Sequence, residues 1–141
     1  MANLDLREWL LTDGRGGFAS GTVSGIPTRR YHGLLIASAR PPLERWLLLA
    51  SVLERITIGG VTHELATFEF SGAIHPRGYE YLTRFQVRNA APLPTASFTY
   101  EHESFKLIKR VTLPRGGSGV RIEYDLQVRG GDEAELAIMP M

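Results

Sequence analysis

Short runs of alternating apolar and polar residues dominate the chain, and the clearest of them spans residues 120–128. Its apolar members are Val120, Ile122, Tyr124, Leu126 and Val128. Side chains two positions apart point to the same face of a strand, so this pattern predicts a strand with one buried face and one solvated face. Phe105, Leu107 and Val111 predict a preceding strand, and the Gly-rich residues 114–119 predict the hairpin that joins the two.

Further strands are predicted between recurrent glycine and proline residues, which are typical of turns. The candidates are residues 31–38, 45–58, 61–67, 81–88 and 96–102, with another strand starting near residue 132. Apolar residues within 43–53 also have helical spacing, but the Gly59-Gly60 turn and the strand pattern after it favour a strand. These patterns predict a single all-β domain over residues 1–141, an antiparallel β-sandwich. Because the chain stops at Met141, directly after its last predicted strand, we expect it to be a fragment of a larger protein.

The composition of the chain restricts which binding partners and which cellular compartment are expected. Sixteen basic and fifteen acidic residues give a net charge of +1, which argues against a nucleic acid or an anionic membrane as partner. The chain has no cysteine, so a disulfide framework, a thiolate metal site and a cysteine nucleophile are excluded, and a cytoplasmic location is expected. The longest apolar run, residues 46–50, is too short to span a bilayer, and the polar N-terminus does not resemble a signal peptide.

No motif for catalysis or cofactor binding has the sequence context that its chemistry requires. Residues 14–19 match a dinucleotide-binding pattern, but the Gly-rich and β-branched residues that follow, ending at Pro27, cannot form the required helix. The four histidines lack metal-ligand spacing, and the acidic pairs are spaced by two, as on a solvated strand face. We therefore predict no catalytic residue, no metal and no cofactor in this chain.

Arg-Gly-Gly occurs three times, beginning at Arg15, Arg115 and Arg129. Clustered copies of this tripeptide in disordered tails bind RNA, but these three are far apart in the chain. Glycine readily adopts the positive φ that tight turns require. The last two copies are therefore interpreted as hairpin turns.

Residues 28–33 carry chemistry that the rest of the chain lacks. Arg29 and Arg30 supply planar guanidinium donors. Tyr31 adds a phenol ring and His32 an imidazole, directly before an apolar run. Guanidinium groups can hydrogen-bond sugar hydroxyls, and aromatic rings can stack on pyranose faces, so the segment fits a sugar contact. The start of an edge strand, with solvated arginines and a core tyrosine, would explain the same residues.

These residues also carry a family resemblance. Residues 8–25, reading EWLLTDGRGGFASGTVSG, and residues 28–35, reading TRRYHGLL, closely resemble the opening of bacterial and archaeal glycogen debranching enzymes of the amylo-α-1,6-glucosidase type. Residues 74–82 and 109–111 are similar to that family as well, so the resemblance extends over nearly the whole chain.

The resemblance implies an N-terminal β-supersandwich, followed in the parent enzyme by a helical (α/α)6 toroid. The toroid would carry the acid and base carboxylates that hydrolyse α-1,6 branch points by inversion, so this chain alone would be inactive. The implied partners are that catalytic domain of the same protein and an α-glucan such as glycogen. The candidate substrate-binding or domain-interface residues are Arg29, Arg30, Tyr31, His32, Asp13, Trp9 and Trp46.

One position departs from the family pattern, which usually has Asn where this chain has Asp13. A carboxylate accepts hydrogen bonds but cannot donate as an amide does, so a role that needs an NH2 donor there is in doubt.

Two alternative functions stay open on the sequence alone. The chain could be an autonomous carbohydrate-binding module, or a protein-interaction sandwich unrelated to glucans.

Overall fold

The structure, a computed structural model, describes residues 4–40 and 43–141, and these residues form an all-β fold. The strands are β1 Glu8–Thr12, β2 Phe18–Thr22, β3 Gly33–Arg40, β4 Leu43–Leu49, β5 Val52–Ile58, β6 Val61–Glu64, β7 Thr67–Phe70, β8 Ala73–Arg77, β9 Leu82–Arg88, β10 Thr95–His102, β11 Phe105–Thr112, β12 Arg121–Val128 and β13 Ala134–Pro140. A 3₁₀ turn, Gly78–Tyr81, leads into β9. The strand pairings within the sheets are antiparallel. The predicted all-β antiparallel sandwich is confirmed.

The described strands form four sheets. Two of them have four strands each, in the orders β1-β2-β3-β4 and β12-β11-β10-β9. A three-stranded sheet has the order β13-β5-β6, and β7 pairs with β8. No helix in the described ranges is long and apolar enough to cross a membrane.

The core is built on the alternation of β10 and β11. Phe105, Leu107 and Val111 of β11 are fully buried, and Phe98 of β10 is 5 % exposed. Trp9 of β1 meets Phe98 edge to face, with ring centroids 5.8 Å apart, so the two four-stranded sheets share one core. Burying a large apolar side chain stabilises the fold by about 1.5–3 kcal/mol, so this shared core holds the sheets together.

The hairpin predicted over residues 114–119 is confirmed, because β11 and β12 pair along their length on either side of it. In β12 the polar residues are exposed, while Ile122, Tyr124, Leu126 and Val128 are partly buried. The strand interpretation of residues 43–53 is also confirmed over its helical alternative, since strand residues occupy 43–49 and 52–58.

Some strand bounds and one hairpin differ from the predictions. Residues 45–58 are not one strand, because the backbone N–H groups of Ala50 and Ser51 bond to Met141 and the chain passes from one sheet to another there. The strand predicted at 31–38 begins at Gly33. The glycines after Arg129 do adopt positive φ, but they lead from β12 to β13 in a different sheet and do not form a hairpin.

Strands β1, β2, β7 and β8 were not predicted, because none of them shows long alternation. β1 and β2 form a hairpin over the segment that matched the dinucleotide pattern. The residues after that pattern are a strand, Phe18–Thr22, and not a helix, which removes the platform that a pyrophosphate would need.

Candidate functional site

The loop between β2 and β3 is anchored through His32. The imidazole Nδ1 accepts the backbone N–H groups of Thr28, at 3.0 Å, and Arg29, at 3.2 Å. Nδ1 therefore carries no proton, and the proton of the neutral ring is on Nε2. Nε2 lies 3.0 Å from Glu8 Oε1 and donates to it. His32 thus fastens its own loop to β1 and is not a free sugar ligand.

Glu8 ties the same loop down a second time. Its Oε1 accepts from the Arg29 guanidinium Nε as well as from His32. The Arg29 hydrogen bond is the main cause that holds the pKa of Glu8 below its usual value, and the His32 hydrogen bond lowers it further. Ser20 Oγ adds a third attachment by donating to the backbone oxygen of Tyr31 at 3.1 Å. The loop backbone is consequently fixed to β1 and β2.

Two side chains project from this anchored loop. The Tyr31 side chain is the most exposed large apolar one in the described ranges, at 69 %. Arg30 is also exposed, and it makes no ion pair with the residues that the structure describes. The Tyr31 ring borders a shallow cleft of about 260 Å³, whose other walls are Glu8, Trp9, Leu10, Ser20, Arg29 and His32. A fixed backbone with a free ring and a free guanidinium is suited to contact with a sugar surface.

Trp9 lines this cleft only on the side that faces the protein core. The residue is 5 % exposed, its indole Nε1 donates to Thr22 O at 3.2 Å, and its ring packs against Phe98. Gly21 lies directly opposite in β2, and a Cβ there would come within 3.3 Å of the indole. The indole face is therefore used by the core, and its role in the cleft is to support the loop.

Asp13 lies away from the cleft, in the turn between β1 and β2. Its carboxylate is buried, and Oδ1 accepts the backbone N–H groups of Arg15, at 2.7 Å, and Gly17, at 3.0 Å. A Cβ on Gly17 would lie 2.2 Å from Oδ2, so only glycine fits against this carboxylate. An acceptor is what both of these bonds require, and an Asn side-chain oxygen could serve the same two N–H groups.

Trp46 belongs to a separate surface on β4 and does not line the cleft around Tyr31. β4 is the outermost strand of its sheet in the described structure. Trp46, Leu47 and Leu48 are 61 %, 54 % and 59 % exposed. Trp46 and Leu47 pair in regular register with Ala37 and Ile36, and successive residues of a strand point to opposite faces, so β4 presents apolar side chains on both of its faces. We call these three residues the β4 apolar edge.

Sequence reasoning grouped seven candidates, and the structure brings only some of them together. Trp9, Arg29, Tyr31 and His32 share the cleft, with Arg30 beside them in the loop, whereas Asp13 and Trp46 lie elsewhere. Sequence reasoning missed Glu8, the acceptor for both Arg29 and His32, because these contacts join residues more than twenty positions apart. Within the described ranges, no group of three or more His, Asp or Glu side chains is arranged to hold a metal ion.

Comparison with known proteins gives the family. The family model described as the N-terminal region of glycogen debranching enzyme matches residues 7–141. Comparisons with curated proteins and with solved structures return no significant match. Because the matched range covers nearly the whole chain, the chain belongs to the glycogen debranching enzyme N-terminal family.

Proposed function

We propose that the chain is a non-catalytic domain of a debranching enzyme that hydrolyses α-1,6-glucosidic branch points, and that it acts in a cytoplasmic setting. The family match over residues 7–141 carries this proposal. In this role the domain supports a helical catalytic domain of the same protein and contributes to glucan contact at its rim. The reaction itself belongs to carboxylates outside this chain.

The β4 apolar edge is the evidence for contact with a catalytic domain. Soluble proteins expose single apolar side chains routinely, but three consecutive ones on an outermost strand are a recognised interface feature. Such an edge also presents unpaired backbone groups. Proteins normally cover these groups with another element or protect them with charged side chains. In the proposed function the catalytic domain covers Trp46, Leu47 and Leu48.

Binding to a separately purified catalytic domain tests the supporting role. The double variant Trp46→Ser/Leu48→Ser should weaken association with the catalytic domain of a debranching enzyme that lacks its own N-terminal domain, by about tenfold or more, since buried aromatic anchors dominate interfaces. The matched control is Val61→Ser/Phe70→Ser, which removes two equally exposed apolar side chains from other strands. Equal affinity of both double variants would contradict the assignment of β4.

The anchored loop supports the glucan contact. Tyr31 offers an exposed ring, and Arg30 offers donors that are not used within the described structure. Glu8, Arg29 and His32 hold the backbone between them, so little conformational entropy is lost when a sugar binds. The same geometry would serve an autonomous carbohydrate-binding module, which is the second candidate function.

Chemical-shift mapping with maltoheptaose tests the glucan contact. We expect saturable amide shifts at residues 29–32 that disappear in Tyr31→Ala. Phe70→Ala is the matched control, because it removes another ring that is 63 % exposed on a different sheet. An unresponsive spectrum would remove the loop from glucan binding and leave the supporting role alone. Submillimolar affinity in the isolated chain would favour the autonomous module.

A further inference from the structure

A second cavity, of about 220 Å³, lies between the sheets. Its walls come from β1, β2, β3, β5, β7, β10 and β11, together with the segments that join them. Four exposed wall residues mark the side on which it opens: Gly25, Pro27, Ala50 and Met141. Trp9, Ser20 and His32 contribute to this cavity and to the loop cleft, but Tyr31 lines only the cleft.

A buried ion pair forms part of the cavity wall. Lys109 Nζ lies 2.6 Å from Glu54 Oε1, and the Tyr124 hydroxyl donates to the same oxygen at 2.6 Å. The side chains of Lys109 and Glu54 are only 10 % and 3 % exposed. Burial and the nearby Glu54 carboxylate raise the pKa of Tyr124, and they also raise the pKa of Tyr100, which lines the cavity. The tyrosines therefore remain neutral donors in this environment.

Stability alone does not account for such a pair. Desolvation of two charges offsets their attraction, and well-packed apolar residues often stabilise a fold equally well. An ammonium group has three donors and a carboxylate about four acceptor sites, so the pair keeps hydrogen-bonding capacity beyond its contact through Oε1. Polar groups that converge on a largely apolar cavity are typical of ligand sites.

The other walls combine hydroxyl groups and aromatic rings. Ser51 and Thr67 contribute hydroxyls, and Phe68 and Phe98 contribute rings. Hydroxyl groups both donate and accept, so a polyhydroxylated ligand can satisfy an ammonium, a carboxylate and a hydroxyl at once. The rings and the neighbouring aliphatic side chains can cover the C–H faces of such a ligand.

Charge and volume restrict the ligand further. The Glu54–Lys109 pair is neutral as a unit, so a charged ligand would leave an uncompensated charge in a buried site. The cavity lies below the roughly 300–1,000 Å³ of sites that hold drug-sized molecules, which restricts the occupant to about one sugar ring. We infer that this cavity is a binding site for a small neutral polyhydroxylated molecule. The inference does not depend on glucan contact at the Tyr31 loop.

Titration of the chain with D-glucose and with myo-inositol, followed by amide chemical shifts, tests this site. We expect saturable shifts at Glu54, Thr67 and Lys109. Ala50→Trp places a large ring at the opening and should weaken binding by at least about tenfold, whereas Ala73→Trp, at an exposed position outside the cavity, should leave it unchanged. Tyr31→Ala should also leave it unchanged, which separates this site from the loop cleft.

Charged analogues give a readout on the native chain that needs no variant. D-glucosamine and D-glucuronate have the same ring size but carry one positive or one negative charge, and each should bind at least about tenfold more weakly than D-glucose. Absence of saturable shifts with both neutral probes would overturn the inference. Undiminished binding by Ala50→Trp, or charged analogues that bind as tightly as glucose, would overturn it equally.

Discussion

β11 and β4 are both strongly apolar strands, yet the fold uses them in opposite ways. β11 lies between β10 and β12, and its inward residues Phe105, Leu107 and Val111 are fully buried. β4 has the more continuous apolar run, but it lies at the end of its sheet, and Trp46 and Leu48 stay more than half exposed. Apolar content does not decide what a strand contributes to the core, and neither does its position in the sheet. β1 also lies at the end of its sheet, but its Leu11 is fully buried, so the deciding factor is what packs against the faces of the strand. The apolar residues of β4 therefore suit contact with another surface.

The largest expected effect comes from the buried pair between Lys109 of β11 and Glu54 of β5. Lys109→Met should lower the free energy of unfolding by about 3–5 kcal/mol, because it leaves the Glu54 carboxylate buried without a cation. Urea denaturation measures this loss. The double variant Glu54→Leu/Lys109→Met should recover much of it, and Lys106→Met on the outward side of the same strand should change stability little. A single variant that unfolds like the native chain would contradict the burial of this pair.

Truncating one leucine in each strand tests the comparison directly. Leu107→Ala should cost about 2–5 kcal/mol, since it opens a cavity at a fully buried position of the core. Leu48→Ala removes a side chain that is 59 % exposed, and such substitutions usually stay within about 0.5 kcal/mol. Urea midpoints of the two variants, taken at equal m-values, provide the measurement. Similar losses in both would show that β4 is packed against the domain.

A smaller effect is expected at the turn that leads into β2. Asp13→Ala removes the acceptor for the N–H groups of Arg15 and Gly17 and should cost about 1–3 kcal/mol. Asp13→Asn keeps an oxygen acceptor and should cost well under 1 kcal/mol. Thermal unfolding of the pair separates an acceptor role from a role of the negative charge. Equal destabilisation by both substitutions would favour the charge.

The smallest expected effect is a pH dependence of the free energy of unfolding, which arises from the buried His63. Burial lowers the pKa of His63, and His102, with its ring centroid 4.5 Å away, lowers it further. The unfolded chain thus binds this proton at higher pH than the folded chain, so the free energy of unfolding falls as the pH drops below about 6.5. His63→Gln should flatten the profile between pH 7 and pH 5, whereas His75→Gln, at an exposed position, should not. An unchanged slope in His63→Gln would contradict the assignment.

The strands with long alternation were predictable from sequence, and the contacts between distant residues were not. β12 follows period two along its length, so its boundaries were found to within a residue. The sequence predicts one strand over β4 and β5 because residues 50 and 51 include neither glycine nor proline. Their separation depends on pairing with Met141 at the far end of the chain. The loop chemistry was visible in residues 28–33, but the acceptor that immobilises it, Glu8, belongs to another strand.

The same limit applies to Trp9 and Trp46. Both are tryptophans in short apolar segments, and nothing local distinguishes them. Trp9 is buried because β1 packs against β10, whereas Trp46 on β4 stays 61 % exposed, although β1 and β4 are both terminal strands of the same sheet. Burial of such residues is set by the element that packs against their strand, which a single sequence does not encode in any short window.

Glucose release from a phosphorylase limit dextrin tests the central claim most directly. The purified chain should release no glucose above the buffer control, because the proposed function places the acid and base carboxylates in a different domain. An intact debranching enzyme at the same molar concentration provides the positive control. Release by the chain alone, at a rate comparable with that of the intact enzyme, would contradict the assignment of a supporting, non-catalytic role.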